Sequence, residues 1–245
     1  MSEPIHGIFP VFEALRAGIE MERILISRSA NKKQIADLLR LARRKGVPII
    51  EKAKQDLNDL VDGNTQGIVA YVKASPYVSV QTILQESEKR GEPPFLALLD
   101  GIEDPHNLGA ILRSADGVGV HGVIIPQKRS AGLTGTVAKT SAGASLHVKT
   151  AQVANLSFTI EALKQQNIWF VGADQQAELL YTEADLTGAL GIVVGGEGSG
   201  LHRLVKAKCD FLVKIPMRGK VNSLNASVAA ALLFFEVRRQ RSNKN

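Results

Sequence analysis

The sequence predicts an α/β protein in which a small N-terminal module precedes a larger domain built on a mostly parallel sheet. From position 95 onward, short apolar segments rich in β-formers alternate with segments of helical periodicity, an order typical of a parallel sheet covered by helices on both faces. The first 75 residues alternate in the same way on a smaller scale. A chain of 245 residues with 44% hydrophobic content is long enough to form two such domains.

The N-terminal module, residues 1–75, is predicted from helix boundaries and β-rich segments. Pro10 is suited to the first turn of a helix, and Gly18 to the position after its end. Asn31 is suited to cap a second helix that Gly46 ends. The predicted elements are, in order, a helix after Pro10, a strand at 23–27, a helix after Asn31, a strand at 47–50, a helical turn at 56–60 and a strand at 66–72.

Residues 76–93 are predicted to connect the two domains. The pair Ser75-Pro76 interrupts the preceding pattern, and Pro93-Pro94 stops any helix. The second domain then spans 94–245. Its strands are predicted at 95–99, 122–125, 168–172, 191–194 and 211–215, and its helices at 108–116, 136–142, 158–166, 201–206 and 224–239.

Residues 215–227 carry more polar chemistry than the start of a helix requires. One Ser, Thr, Asp or Asn is enough to cap a helix, yet this stretch offers Asn222, Ser223, Asn225 and Ser227 within a few positions. The stretch is therefore either a well-capped helix start after a Gly turn or a rim of donors and acceptors around a ligand.

Two further loops follow predicted strands, and parallel sheets bind ligands where such loops open into helices. The first, residues 100–113, holds Asn107 and Arg113, and a lone arginine there is more often solvated or salt-bridged than catalytic. The second, residues 194–201, carries Glu197 between glycines that allow a ligand to approach the backbone, although a carboxylate is equally suited to a helix N-terminus. Its Gly-x-Gly-x-Gly spacing differs from that of dinucleotide-binding loops, so a nicotinamide-dependent oxidoreductase is a weak alternative.

Composition and charge narrow the function classes. The net charge of +6 and the pI near 9.5 fit a polyanionic partner; basic residues cluster at 40–45 and 238–244, where helix dipoles also favour cations. The single Cys209 excludes an intrachain disulfide framework, and the five histidines lack ligand spacing, so no metal is expected. With no signal segment and no apolar run of membrane length, we expect a cytoplasmic protein without a membrane partner.

In order, spacing and polar content, the three loops resemble the three motifs of the SpoU/TrmH family of RNA 2′-O-ribose methyltransferases, within the SPOUT superfamily. The matching residues are Asp104-Pro105-x-Asn107-x-Gly109-Ala110-x-x-Arg113, Gly195-Gly196-Glu197-Gly198-x-Gly200-Leu201, and Ile215-Pro216-Met217 through Ser223-Leu224-Asn225-x-Ser227. Residues 5–73 resemble the ribosomal-protein-L30-like RNA-binding module that precedes the catalytic domain in the RlmB-type branch. That branch methylates a guanosine ribose of large-subunit (23S) rRNA.

The resemblance implies an L30-like RNA substrate-binding domain at 1–75, a linker at 76–93 and a SpoU-type catalytic domain at 94–245 with a deep C-terminal trefoil knot. It also implies S-adenosylmethionine held in the knot and a homodimer that completes the active site, acting on 23S rRNA or a pre-ribosomal particle. The implied catalytic residues are Asn107, Arg113, Glu197, Ser223 and Asn225. The implied cofactor-binding residues are Gly195, Gly196, Ile215, Met217 and Leu224.

Residue chemistry suggests a role for each catalytic position. Arginine stays protonated because its pKa lies above about 12, so Arg113 is interpreted as a cation that stabilises the developing ribose alkoxide or grips the adjacent phosphate, with Asn107 orienting it. Deprotonation of the ribose by Arg113 stays open if the site desolvates it strongly. Glu197 is expected to position Arg113 or loop N–H groups, and Ser223 with Asn225 to hold the loop or the substrate.

Three other polar residues receive minor roles. Asn222 and Ser227 are left for helix capping, and His106 is expected to be an exposed loop histidine. Two alternatives stay open beside the 23S rRNA enzyme: a tRNA ribose 2′-O-methyltransferase of the same family, and a non-catalytic RNA-binding homologue. Equilibrium binding of adenosylmethionine distinguishes the second, because a homologue without activity is expected to lack it.

Overall fold

The computed structural model describes residues 4–17, 19, 21–61, 64–72 and 77–242. Its strands are β1 (Pro4–His6), β2 (Met21–Ser27), β3 (Ile49–Lys52), β4 (Ile68–Val72), β5 (Phe95–Asp100), β6 (Gly122–Pro126), β7 (Thr150–Val153), β8 (Trp169–Ala173), β9 (Leu190–Gly195) and β10 (Phe211–Val213). Its α-helices are α1 (Ile8–Arg16), α2 (Ala36–Arg44), α3 (Lys54–Asn58), α4 (Val80–Arg90), α5 (Pro105–Val118), α6 (Gly135–Thr140), α7 (Leu156–Lys164), α8 (Arg203–Lys208) and α9 (Ala226–Ser242). None of the described helices is both long and apolar enough to cross a membrane.

The chain forms two compact units. The first combines the described residues before position 77 with Gly132–His147, and the second combines Tyr77–Ala131 with the described residues from Val148 onward. The first unit holds a four-stranded sheet in the order β1-β4-β2-β3, in which β2 and β3 run parallel and the other neighbours run antiparallel. The predicted small α/β module is confirmed.

Local sequence predicts most elements of the first unit, with two differences. It does not predict β1, because three residues that include Pro4 offer no alternating pattern. It also places the second helix directly after Asn31, whereas α2 begins one turn later. The Asn31 Oδ1 instead accepts hydrogen bonds from the Lys33 and Gln34 N–H groups, at 3.1 and 3.4 Å, and closes a turn. Gly18, predicted to follow α1, lies outside the described residues.

The segment that contains α6 lies, by sequence, within the range predicted for the second domain, yet it packs in the first unit. Ala138 is buried in the same core as Val11 and Leu15. The His147 Nε2 lies 3.5 Å from the Glu13 Oε2. The extent of the first unit is therefore not set by a single boundary along the chain, and no local pattern indicates this.

The second unit is built on a six-stranded, fully parallel sheet in the order β10-β8-β9-β5-β6-β7. All six residues of β5 are buried, as expected for a central strand covered on both faces. The predicted mostly parallel sheet is confirmed. The sequence does not predict β7, because this strand has only four residues and two of them are half-buried.

Much of the stretch predicted as a connection, residues 76–93, forms α4 in the second unit. The Ser79 Oγ caps this helix by accepting a hydrogen bond from the Thr82 N–H at 3.1 Å, and Gly91 ends it in the left-handed conformation. Ile83 and Leu84 are buried in the core beside the sheet. The sequence pattern does not predict α4, because the polar residues of this helix outnumber the apolar pair.

The basic cluster at the C-terminus is partly held within the fold. Arg241 donates hydrogen bonds at 2.7–2.9 Å to the carbonyl oxygens of Pro93, Pro94 and Gly188. The Arg239 guanidinium donates to the Glu236 carboxylate, one turn earlier in α9. These two arginines therefore anchor the end of α9, which favours the structural interpretation of this cluster over an RNA contact.

Four neighbouring strands of the parallel sheet, β10, β8, β9 and β5, end at one edge. The residues that follow them are Lys214, Asp174, Gly196 and Gly101, respectively. Because parallel strands place their carboxyl ends together, the loops after these four strands meet at this edge.

Candidate active site

A cavity of about 750 Å³ opens at this edge of the sheet. Seven of the residues predicted for the site line it: Gly195, Gly196, Glu197, Ile215, Ser223, Leu224 and Asn225. Its apolar wall is formed by Val194, Leu201, Val213 and Ile215. Small-molecule and cofactor sites commonly measure roughly 300–1,000 Å³ and combine an apolar wall with a few polar groups, so the cavity is suited to such a ligand.

Three polar residues from three different loops meet at this cavity. The Asn107 Nδ2 donates a hydrogen bond to the Glu197 Oε1 at 3.1 Å, and the Asn225 Nδ2 donates to the Asn107 Oδ1 at 2.9 Å. The Asn225 Nδ2 also contacts the Glu197 Oε1. Asn107 is buried, so its amide lies behind the cavity and fixes the direction of the other two groups. We name Asn107, Glu197 and Asn225 the polar triad.

Asn225 has a second task, which corrects the prediction that Ser227 and Asn222 cap the final helix. The Asn225 Oδ1 accepts hydrogen bonds from the Ser227 N–H at 2.9 Å and the Val228 N–H at 3.4 Å, in the first turn of α9. The Ser227 hydroxyl donates to the same oxygen at 2.5 Å instead of capping on its own. One side chain therefore both caps α9 and joins the polar triad.

The two glycines predicted to contact the cofactor are required by the protein's own backbone. A Cβ at Gly195 would lie 2.1 Å from the carbonyl carbon of Gly200, and a Cβ at Gly196 would lie 2.2 Å from the carbonyl oxygen of Gly101. The Gly196 N–H donates to the Asp100 carbonyl at 2.8 Å. The sequence explains these glycines by the approach of a ligand. The structure adds a second reason: Gly195 lies against Gly200 within the second loop, and Gly196 lies against Gly101 of the first loop.

A buried carboxylate that the sequence analysis missed also joins these two loops. Asp100 ends β5 and is 5% exposed. Its Oδ2 accepts a hydrogen bond from the His202 N–H at 2.7 Å, and its Oδ1 lies 2.9 Å from the His202 Nδ1. The signal was available, because an acidic residue at the end of an apolar strand is seldom buried without a partner.

Asp174 and Lys206 form a second missed pair, on the cavity wall. The Lys206 Nζ lies 2.5 Å from the Asp174 Oδ2, and the Gln176 N–H donates to the Asp174 Oδ1 at 2.8 Å. Burial raises the pKa of Asp174, but the hydrogen bonds from Lys206 and Gln176 outweigh it and hold that pKa below its usual value. The position of Asp174 two residues after a predicted strand was the signal that could have found it.

Arg113 lies apart from the cavity and from the polar triad. It is exposed on α5 and, among the described residues, has no hydrogen bond or ion pair. Six residues at 3.6 per turn place it roughly 120° around the helix from Asn107. Within one chain, Asn107 and Glu197 contact each other and Asn225 rather than Arg113, and the prediction that they orient Arg113 stays a prediction.

Three other predicted positions have less defined surroundings. Ser223 is exposed at the cavity and makes no hydrogen bond to a described residue. Met217 is half-buried and does not line the cavity. His106 is exposed, as predicted, and its N–H donates to the Asp104 Oδ1 at 2.9 Å.

Comparison with known proteins identifies relatives across the whole chain. The family model described as "SpoU rRNA Methylase family" matches residues 94–235, and that described as "RNA 2'-O ribose methyltransferase substrate binding" matches residues 4–78. YacO of Bacillus subtilis (strain 168), named for the TrmH family of tRNA/rRNA methyltransferases, is 44% identical over 232 residues, which cover 95% of this chain and 93% of that protein.

Solved structures share the fold. The SpoU methyltransferase AviRb from Streptomyces viridochromogenes, in complex with the cofactor AdoMet, superimposes with a TM-score of 0.83 and 27% identity, over 98% of this chain and 90% of AviRb. A crystal structure of an RNA 2′-O ribose methyltransferase matches with a TM-score of 0.77 and 29% identity, over 98% of this chain and 88% of that one.

Proposed function

Since the chain belongs to the SpoU/TrmH family of RNA 2′-O-ribose methyltransferases, we propose that it uses S-adenosylmethionine to methylate the 2′-hydroxyl of a guanosine ribose in 23S rRNA. One observation carries this proposal: side chains from three loops, Asn107, Glu197 and Asn225, meet at a cavity of cofactor size.

The lining of the cavity supports adenosylmethionine as the ligand. Val213, Ile215 and Leu224 supply apolar surface suited to the adenine ring. The carboxylate of Glu197, on the same lining, is suited to a ligand that carries a positive charge. The AviRb structure, whose fold this chain shares, contains that cofactor. Gly195 and Gly196 are proposed to contact it through their backbone, and Met217 through the loop that leads to Ser223.

The chain's own residues mainly align the reactants. When bound, adenosylmethionine supplies an electrophilic sulfonium methyl group. Alignment alone can remove roughly 7–11 kcal/mol from a barrier. The polar triad holds the Glu197 carboxylate in one direction, because Asn107 and Asn225 donate to the same carboxylate oxygen. We propose that this carboxylate and the exposed Ser223 hydroxyl orient the ribose hydroxyl.

A homodimer is proposed to bring Arg113 to the reaction. Val228, Leu232 and Phe235 lie on one face of α9 by their spacing and are 46%, 38% and 56% exposed. α9 packs beside α5, which carries Arg113 on an exposed face. A second copy that covers this apolar stripe would place its own Arg113 near this chain's cavity, where the guanidinium can stabilise the ribose alkoxide or bind the adjacent phosphate.

Mixed dimers test this arrangement. Arg113→Ala and Glu197→Ala homodimers are both expected to be inactive, whereas a purified heterodimer of the two would keep one intact site and about half the wild-type rate. A heterodimer as inactive as its parents would contradict a shared site. A protein that sediments as a monomer under assay conditions would contradict the dimer itself.

The substrate is tested with methyl-labelled adenosylmethionine and unmodified transcripts of 23S rRNA, 16S rRNA and tRNA. We expect label in 23S rRNA, with recognition supplied by the N-terminal domain. Glu197→Gln is expected to lower the rate about 100-fold, because it disturbs the alignment, whereas the exposed Glu88→Gln on α4 leaves it unchanged. Label confined to tRNA would establish the second candidate, a tRNA ribose 2′-O-methyltransferase, since the name of YacO includes both tRNA and rRNA. No label in any RNA, under conditions where cofactor binds, would refute the enzyme.

The same proposal includes the finer predictions made from sequence. Family membership supports a deep trefoil knot in the catalytic domain and a cytoplasmic location beside the ribosome. It also supports the division of labour between residues 1–75, which bind RNA, and 94–245, which catalyse.

A further inference from the structure

Asp174 lines the cavity and takes no part in the polar triad. We propose that its carboxylate accepts hydrogen bonds from the vicinal hydroxyls of the cofactor's ribose, an inference that rests on the proposed use of adenosylmethionine. The three sequence motifs do not contain Asp174, because it lies in a fourth loop, after β8.

The order of the strands places Asp174 in the middle of the cavity edge. β8 lies between β10 and β9. The end of β10 carries the apolar Val213, and Ile215 follows shortly after, whereas β9 leads into Glu197 of the polar triad. Ribose lies between adenine and the sulfonium methyl in the cofactor. A ligand with its adenine at the apolar end and its methyl at the triad therefore has its ribose beside Asp174.

The carboxylate is fixed and keeps acceptor capacity. Asp174 is only 15% exposed in its side chain, and its N–H donates to the Val213 carbonyl at 2.9 Å, which ties the loop to β10. Lys206 takes one acceptor position on Oδ2, and the Gln176 N–H takes one acceptor position on Oδ1. An ionised carboxylate offers about four acceptor positions, so each oxygen can still accept one hydroxyl. An acid at the end of a parallel strand binds ribose in the same manner in dinucleotide-binding folds.

Lys206 makes the arrangement specific. An unpaired carboxylate would attract the cationic methionine end of the cofactor as readily as it accepts hydroxyls. Because the ammonium of Lys206 neutralises Asp174, the pair favours a neutral diol over a second cation. Lys206→Met leaves the carboxylate unpaired and is therefore expected to raise the affinity for ligands with an amino group relative to ligands without one.

The test is a cycle of binding measurements by calorimetry with S-adenosylhomocysteine, which cannot react, and its 2′-deoxy and 3′-deoxy analogues. In the wild type, removal of either hydroxyl is expected to weaken binding about tenfold or more. Asp174→Ala removes both contacts, so it is expected to weaken binding of the full ligand by about 100-fold and binding of each deoxy ligand by only about tenfold. Glu161→Ala is the matched control. It removes an ion pair to Lys208, which lies on α8 as Lys206 does, but neither Glu161 nor Lys208 lines the cavity.

Each other outcome overturns the inference in a recognisable way. Unchanged affinity in Asp174→Ala, or equal losses for full and deoxy ligands, excludes contact with the hydroxyls. A loss with S-adenosylhomocysteine that disappears with 5′-methylthioadenosine, which lacks the amino-acid end, assigns Asp174 to that end instead. Asp174→Asn takes the place of the alanine variant if thermal melting finds the latter unfolded. A wild-type protein that binds none of these ligands refutes the proposed function itself.

Discussion

Replacement of Asn225 by Asp separates its two tasks in one experiment. The substituted side chain keeps the Oδ1 that accepts from the Ser227 and Val228 N–H groups, so α9 stays capped. It loses the amide that donates to Asn107 and Glu197 and puts a second carboxylate oxygen there instead. The variant therefore damages the polar triad while leaving the helix start intact.

The expected loss is worked from these contacts. Two lost hydrogen bonds cost about 0.5–1.5 kcal/mol each. Like charges about 4 Å apart repel by about 1 kcal/mol in water and about 4 kcal/mol at the lower effective dielectric near a protein surface. A carboxylate at a helix N-terminus regains about 0.3–1 kcal/mol. We expect Asn225→Asp to lower the free energy of unfolding by about 4 kcal/mol at pH 8, or to lower Tm by about 8–16 °C.

The loss depends on pH in a defined direction. In the variant, repulsion by the nearby Glu197 carboxylate raises the pKa of the carboxyl group introduced at position 225 above its value in the unfolded chain. A raised pKa in the folded state stabilises the protein at low pH, and that contribution disappears as pH rises through it. The loss in free energy of unfolding of Asn225→Asp relative to the wild type should therefore be smaller at pH 5 than at pH 8, as measured by urea unfolding. Asn225→Ala, which adds no charge but loses the cap and both hydrogen bonds to the triad, should lose about 3 kcal/mol at both values. An equal deficit for Asn225→Asp at pH 5 and pH 8 would refute the reasoning.

Three further predictions follow from other contacts. Gly196→Ala should lower the free energy of unfolding by about 3 kcal/mol, because the added Cβ collides with the backbone. Gly198→Ala should lower it by only about 1 kcal/mol, because the added Cβ meets open space and the cost is that of φ +77°. Equal urea midpoints for the two variants would contradict this. Hydrogen bonds from Lys149 and a neighbouring arginine lower the pKa of Glu86 to about 2, so stability should fall as pH drops from about 4 to 2, and Glu86→Gln should flatten that fall in thermal melts. Burial raises the pKa of Cys209 to about 12, so a disulfide reagent at pH 8 should label the native thiol more than about 100-fold more slowly than the unfolded one, and equal rates would contradict the burial.

The sequence predicted the parallel sheet and the position of the three loops because both depend on local patterns. Apolar strands followed by polar, glycine-rich loops are visible along the chain, and Glu197 and Asn225 stand in such loops. The direction of a parallel sheet then brings these loops together without knowledge of any side-chain contact. The polar triad is the result of that rule.

The sequence could not predict pairings between distant positions. Asp100 and His202 are 102 residues apart, and neither has a neighbour that reveals the contact. The position of Asp174 after a predicted strand marks it as a candidate, but its pairing with Lys206 is visible only in the structure. Likewise, the packing of Ala138 in the first unit depends on a tertiary contact that no periodicity encodes.

Asn225 illustrates why residue roles were harder to predict than residue positions. Its amide has one acceptor oxygen and two donor hydrogens, so it can cap a helix and join a polar cluster at once. Counting polar residues against one cap position assumes one task for each side chain. That assumption assigned capping to Ser227, whose hydroxyl donates to Asn225 instead.

The most direct test of the central claim is to map the methylated atom in RNA. A 2′-O-methyl group blocks the neighbouring phosphodiester from alkaline cleavage, because the attacking hydroxyl is gone. After reaction with labelled adenosylmethionine, the account predicts label in one alkali-resistant dinucleotide from 23S rRNA, which digestion to nucleosides identifies as 2′-O-methylguanosine. Label that is released by alkali as a base-methylated nucleotide would contradict it.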